Sequence, residues 1–255
     1  MPLKTGKKHN LEKNRSQCQR PPAARGDAPT SSTNKATNKR PRLKKHMSRR
    51  YTPPKPPKNG YLIWGRHAVF AALKNNDRRV AQIYTASSDI ESDIQSHLST
   101  LTSPRRNDLP PIKRMERHRL DAIADPHDKA VHQGMAAAVW PIEPPHLDDF
   151  LALYQTGPLR LVLLDHVSDP RNVGAIMRSA RAFGVPAVIT TFRHAAIENG
   201  ALARAASGAL DHLYYLRVTN LARAIEQLQY YHITVAGLTR DSNMPVSKLS
   251  GIDRL

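Results

Sequence analysis

Asp165, His166, Asp169, Arg171, Asn172, Arg178 and Arg181 crowd into one stretch, LVLLDHVSDPRNVGAIMRSARAFG at residues 161–184. It reads as a strand, a polar loop and a helix. Asn172 suits the N-cap, and Asp169 adds favourable negative charge near the helix start. Helical spacing puts Val173, Ile176, Ala180 and Phe183 on one face. Arg171, Gly174, Arg178 and Arg181 repeat the same i, i+3, i+7, i+10 pattern on the opposite face. A glycine there costs about 1 kcal/mol relative to alanine. Its compensation is expected to be access, because the Arg178 side chain leans back over the position that Gly174 leaves open. An arginine so held can grip a phosphate or assist a ribose hydroxyl that must lose its proton. The competing reading from spacing alone is a glycine for helix–strand packing and arginines that are merely solvated.

The elements that must position this segment alternate. Strand-like runs fall at 160–164, 187–191, 213–218 and 233–238, with helical stretches at 173–183, 199–206 and 221–231. Such alternation over short connections predicts a parallel sheet, whose ligands gather at the carboxyl ends of its strands. Asp165 ends the first of these strands, so the loop 166–171 lies at that edge. Ahead of it, residues 60–140 read as a smaller α/β unit. Its strands are expected at 61–64, 81–86 and 135–139, its helices at 67–75, 88–101 and around 120–124. Pro141, Pro144 and Pro145 mark a boundary, followed by a linking helix near 146–154.

Other clusters are less specific. His127, His132 and His146 lack metal-ligand spacing and are assigned surface or packing roles. Asp148 and Asp149 read as helix N-terminal charge. Arg105–Arg106 and KRMERHR at 113–119 are candidates to extend an RNA surface, or are simply solvated. For Tyr230–Tyr231, packing of at least one ring is expected over base stacking.

Charge is unevenly spread. Of the formal +18, residues 1–58 carry 17 Lys/Arg against 2 Asp/Glu, and the body 22 against 19. The tail's only aromatic is Tyr51, so it is expected to be disordered, with Pro53, Pro54, Pro56 and Pro57 forming a stiff linker. A basic tail of this kind attracts polyanions through phosphate contacts; a solubilising or cloning-derived tail is the alternative. No secretory h-region and no run of 18 apolar residues is present, which points away from secretion and a membrane span. The lone Cys18 excludes internal disulfides, and a cytoplasmic location is expected.

The pattern D-H-V-S-D-P-R-N-V-G-A-I-M-R-S-A-R-A-F-G at 165–184 resembles the first motif of the SpoU (TrmH-type) RNA ribose 2′-O-methyltransferases. The preceding unit is similar to that family's substrate-binding domain. Leu62–Ile63, Gly65, His67–Ala68–Val69, Arg119–Leu120–Asp121 and His132–Gln133–Gly134 carry that likeness. Ala206–Ser207–Gly208–Ala209 and Ala236–Gly237–Leu238 fit further along. The resemblance implies an α/β protein: a basic tail at 1–58, an L30e-like RNA substrate-binding domain at 59–142, and a SPOUT-type parallel α/β domain over 157–255. It implies methyl transfer from S-adenosylmethionine to a ribose 2′-hydroxyl of rRNA or tRNA. Asn172 then belongs to the active-site loop, and Arg178 assists deprotonation of the hydroxyl. Arg171, Arg181, Arg66 and His67 are the residues expected to bind RNA. The donor would lie in a C-terminal trefoil knot at a homodimer interface. Arginine is ordinarily a poor base, so phosphate contact or hydroxyl positioning is the physical role favoured for Arg178.

The sequence departs from the family at its end. A Gly-x-Glu-Gly type loop and a Ser-Leu-Asn-Val-Ser type segment are not found before Leu255. The expectation is a truncated methyltransferase domain with the knot region missing, no assignable cofactor residues and a bare sheet edge. A catalytically incomplete RNA-binding protein, or a truncated gene product, is the alternative reading.

Overall fold

In the computed structural model the described residues are 55–122, 131–239, 242 and 244–255. Readings that fall on residues 1–54 (the tail, Cys18, Tyr51, Pro53 and Pro54), on the helix end at Ala124 and on His127 lie outside them.

Short β-branched and alanine-rich runs build the first sheet. Its strands are β1 (Tyr61–Trp64), β2 (Val80–Thr85), β3 (Ile112–Arg114) and β4 (Met135–Val139), in the order β1-β4-β2-β3. β4 pairs antiparallel with β1 and β2, while β2 and β3 run parallel. Four helices accompany them: α1 (Arg66–Lys74), α2 (Ser88–Ser99), α3 (Ser103–Asn107) and α4 (Arg117–Asp121). The sequence pattern misses α3, whose five residues are too few to show a period. It also offers Arg105 as part of an RNA surface or as simply solvated, and the structure corrects both. Arg105 is buried, and its guanidinium donates to the main-chain oxygens of Ala72, Leu73 and Arg78. Its charge therefore satisfies carbonyls at the C-terminal end of α1, which have no partner within the helix.

The second sheet is parallel throughout, in the order β5 (Leu161–Leu164), β6 (Ala187–Thr191), β7 (Tyr214–Val218). Around it lie α5 (Leu147–Leu153), α6 (Pro170–Ala182), α7 (Gly200–Ala205) and α8 (Leu221–Tyr230). Alternation along β6 divides its contacts between the two faces. Ala187 and Ile189 pack with α5 and α8, whereas Val188 belongs to the core shared with α6, α7 and the first sheet.

Residues 233–238 form no strand, contrary to expectation. The place beside β5 is taken by 253–255: Leu159 N–H donates to Asp253 O, and Leu161 N–H to Leu255 O, both at 2.8 Å. Thr234 N–H bonds only to the outer side of this segment, at Arg254 O. The edge expected to be bare is thus partly covered. Among the described residues, no helix is long and apolar enough to cross a membrane.

The two sheets share one core. Ile63, Val69 and Leu73 from the first unit pack in the same cluster as Val173, Met177 and Leu202 from the second. A buried ion cluster crosses the same seam. Arg78, 1% exposed, donates from Nε to Asp211 (2.7 Å) and from Nη1 to Glu198 (2.5 Å), Tyr61 Oη (3.0 Å) and Trp140 O (2.9 Å). Burial opposes its charge, but Asp211, Tyr61 and Glu198 outweigh that and raise its pKa above the ordinary arginine value. No periodicity signals this cluster, because hydrogen-bonded partners within it lie as far as 137 residues apart.

Candidate active site

β5 delivers the chain to Asp165 and His166 at the carboxyl edge of the parallel sheet. Both side chains are about 70% exposed, at 71% and 69%, and approach to 3.6 Å. The helix then starts one turn earlier than expected. Pro170 occupies the first helical position, where its missing N–H costs nothing. The cap is therefore Asp169, whose Oδ1 accepts from Arg171 N–H at 2.9 Å. Asn172 is not the cap; it lies exposed within the first turn.

The far end of α6 also differs. Gly184 adopts φ +70°, and the N–H groups of Gly184 and Val185 bond back to Arg181 O and Ala180 O. These paired bonds form a Schellman closure. They take Phe183 off the helical period and leave it 78% exposed, so it is not part of the apolar face. Met177 fills the core with Val173 and Ala180.

Gly174 also belongs to the buried side. A Cβ there would lie 2.6 Å from Ala205 Cβ and 2.7 Å from Leu202 O. The glycine permits backbone-distance packing of α6 on α7, which overturns the expectation that it opens access for Arg178. The helix partner is α7 rather than a strand. Arg181 leans the same way, with Nη1 3.4 Å from Gly208 O. Arg171 and Arg178, seven residues apart, share an exposed stripe. Arg178 makes no ion pair or hydrogen bond among the described residues. Asn172 lies roughly 120° around the helix from Arg178, so the two do not share one face.

The expected RNA residues of the first unit sit in the opening turn of α1. Arg66 is exposed but occupied: its guanidinium pairs with Asp93 and lies 4.8 Å from the Phe70 ring centroid. His67 is exposed on the rim of a hollow shared with Gly65, Gln133, Arg204 and Ser207. Gly208, at φ +88°, sits against His67 O, where an added Cβ would come within 3.0 Å. The His67 main chain and the Arg181 guanidinium therefore flank one glycine.

Of the weaker clusters, His132 is buried and structural. Its Nδ1 accepts from Gly134 N–H at 2.9 Å, leaving Nε2 to donate to Asp121 at 2.7 Å. Arg114, within 113–119, pairs with Glu91 at 2.8 Å, and Met115 is buried. Tyr230 is 81% exposed, whereas Tyr231 packs partly into the core. Among the described residues no group of three or more His, Cys, Asp or Glu is placed to hold a metal ion.

Beside β5, residues 233–238 and α8 line a half-open, largely apolar cavity of about 550 Å³. Leu161, Leu163, Ile225, Leu228, Val235 and Leu238 contribute to its walls. Asp165 is the one acidic side chain among its lining residues. Sequence reasoning does not find this cavity, because it arises from 233–238 standing away from the sheet.

Residues 159–252 match the SpoU rRNA Methylase family, and residues 62–145 match the RNA 2′-O ribose methyltransferase substrate binding family. The chain is 34% identical over 187 residues to the 23S rRNA (guanosine-2′-O-)-methyltransferase RlmB of Pseudomonas putida, covering 72% of each chain. It is 36% identical over 195 residues to the RlmB of Photorhabdus laumondii, covering 74% of this chain and 76% of that one. Among solved structures, the SpoU methyltransferase AviRb from Streptomyces viridochromogenes, in complex with AdoMet, is similar in fold. Its TM-score is 0.50 at 19% identity, over 69% of this chain and 60% of that one. The chain thus spans about three fifths of that structure's length and nearly three quarters of the RlmB sequences. Two successive family matches and this identity over both halves lead to one conclusion: the chain belongs to the SpoU rRNA methylase family.

Proposed function

We propose that this protein transfers a methyl group from S-adenosylmethionine to a ribose 2′-hydroxyl of ribosomal RNA, in the cytoplasm and as a homodimer. In this reading residues 59–142 hold the RNA, and 157–255 carry methyl transfer. The observation that carries it is Arg178, exposed and unpaired on the helix that leaves the ligand edge of the parallel sheet. Transfer would break the donor's sulfur–methyl bond and form an oxygen–methyl bond, leaving the neutral thioether, while the hydroxyl proton passes to solvent. Arg178 positions that hydroxyl or the adjoining phosphate, and its fixed positive charge stabilises the oxygen as the proton departs. Arg171, on the same stripe, and Asn172, in the first turn, hold the neighbouring backbone. His67 and Arg181 extend the contact toward the first unit, and Arg66 serves through its remaining exposed surface.

The apolar cavity beside β5 fits the donor in size and character. Its walls suit an adenine and a thioether chain, and Asp165 on its rim suits a cationic sulfonium or ammonium group. S-adenosylmethionine, when bound, supplies the electrophilic methyl group.

The test is incorporation of tritium from labelled S-adenosylmethionine into rRNA, followed by alkaline hydrolysis. A labelled dinucleotide resistant to alkali is expected, because a methylated 2′-oxygen cannot attack its phosphate. Absence of donor binding by calorimetry at high protein concentration, with RNA binding retained, would overturn the enzyme reading. It would leave the chain an RNA-binding module.

A further inference from the structure

Just beyond the carboxyl ends of β5 and β6, two imidazoles lie face to face. The rings of His166 and His194 are 5.3 Å apart between centroids and inclined by 13°. Both residues have left-handed backbone, with φ of +56° and +60°. That region is uncommon for residues bearing a Cβ, and such conformations cluster at functional sites. Both are exposed. Two residues before His194, Phe192 leaves 54% of its surface in solvent. The Arg217 guanidinium lies 5.2 Å from its ring centroid, and Nη2 donates to Phe192 O at 2.9 Å. Arg193, between the aromatic pair in sequence, is exposed as well.

None of these three rings serves the core. What they share is flat, wet π-surface, set among arginines, at the edge of the sheet where α6 begins. Bases stack on such surfaces with little regard to sequence, while arginines hold the phosphates. Single-stranded RNA, with its bases splayed from the backbone, is the polymer whose chemistry matches. A double helix, its bases already stacked, does not.

We propose that His166, His194 and Phe192 form a stacking shelf for unpaired bases flanking the nucleotide presented to Arg178. The proposal rests on the RNA reading above. It assigns the shelf to holding substrate, and no bond is made or broken there.

The experiment is fluorescence anisotropy of the whole chain with a labelled single-stranded RNA dodecamer, and with the same RNA annealed to its complement. His194→Ala and Phe192→Ala are each expected to weaken single-strand binding by about tenfold, with duplex binding changed less than about twofold. His194→Phe restores the ring and should recover most of the loss. A dodecamer carrying 2-aminopurine should lose fluorescence on binding to the native chain and less so on binding to the alanine variants. Equal loss for both RNAs would assign these residues to general charge or folding and overturn the shelf, as would unchanged single-strand affinity in the triple alanine variant. If the native chain binds neither RNA, the RNA reading itself fails, an outcome distinct from unchanged variants of a chain that does bind.

Discussion

Arg78 and Arg178 carry the same guanidinium and meet opposite surroundings. Arg78 is sealed in the seam between the two units, with Asp211, Glu198, Tyr61 and a carbonyl around it. Arg178 stands in solvent with no partner among the described residues. A buried, paired charge adds little over an apolar replacement, but is costly to break. An exposed charge contributes almost nothing to stability, which leaves it available for a ligand. Burial and partners, not residue type, separate an arginine that holds the fold from one left open to a ligand.

The contrast can be broken most sharply from its buried side. Arg78→Ala leaves Asp211 and most of Glu198 buried without their cation, and should destabilise the fold by about 3–5 kcal/mol. Thermal and urea unfolding measure this, and a loss below about 1 kcal/mol would show that the seam does not depend on the ion cluster. Arg178→Ala should behave in the opposite way. Its unfolding midpoint is expected to match the native protein, while methyl transfer to rRNA falls on the order of a hundredfold. Near-normal turnover would remove Arg178 from the mechanism.

Gly174→Ala tests whether packing, not access, sets the residue beside Arg178. Alanine gains about 1 kcal/mol of helix propensity. The clash with Ala205 and Leu202 O should overcome this and give a net loss of about 1–2 kcal/mol. A stabilised variant would mean that α6 and α7 are not in backbone contact.

The smallest expected effect extends the comparison to imidazoles. His97 stacks on Phe70 at 4.3 Å, and burial lowers its pKa, although its hydrogen bond to the Phe70 main chain pulls the other way. The unfolded chain therefore takes up the proton first as pH falls. Stability should decline from the ordinary histidine range downward, until the folded imidazole also titrates. His97→Phe keeps the stack, and should flatten the dependence of Tm on pH between about 7 and 5.5. An unaltered slope would exclude His97 as its source.

The sequence made the alternating second unit legible because its apolar runs are short and its helices carry clean periods. β6 falls on 187–191 as expected, and α6 and α8 differ from expectation by only a few residues. Terminal details were hidden for local reasons. Pro170 moved the cap from Asn172 to Asp169, and Gly184 turned Phe183 outward. The run at 233–238 has the pattern of a strand, but pairing depends on a free neighbour, and 253–255 holds that position. At the candidate site, helix spacing put Arg178 on an exposed face together with Arg171 and Arg181, and only the resemblance to the family distinguished it from them. The Arg78 cluster and the His166–His194 pair could not be singled out, because each is assembled by residues distant in sequence.

The short helix α7 has one further consequence. Gly200 at its start lies against Trp64 and Leu62 O, and its end lies against Gly174 of α6. Each of these two contacts is made at a glycine, without a long side chain between to absorb displacement. Such an element works as a rigid coupling rather than a cushion. A tilt of the first sheet, as when RNA is gripped there, would be passed on to α6 as a whole-body movement. The arginine would then be aimed by the way the substrate is held, with the fidelity of the reaction depending in part on mechanical registration between the two halves.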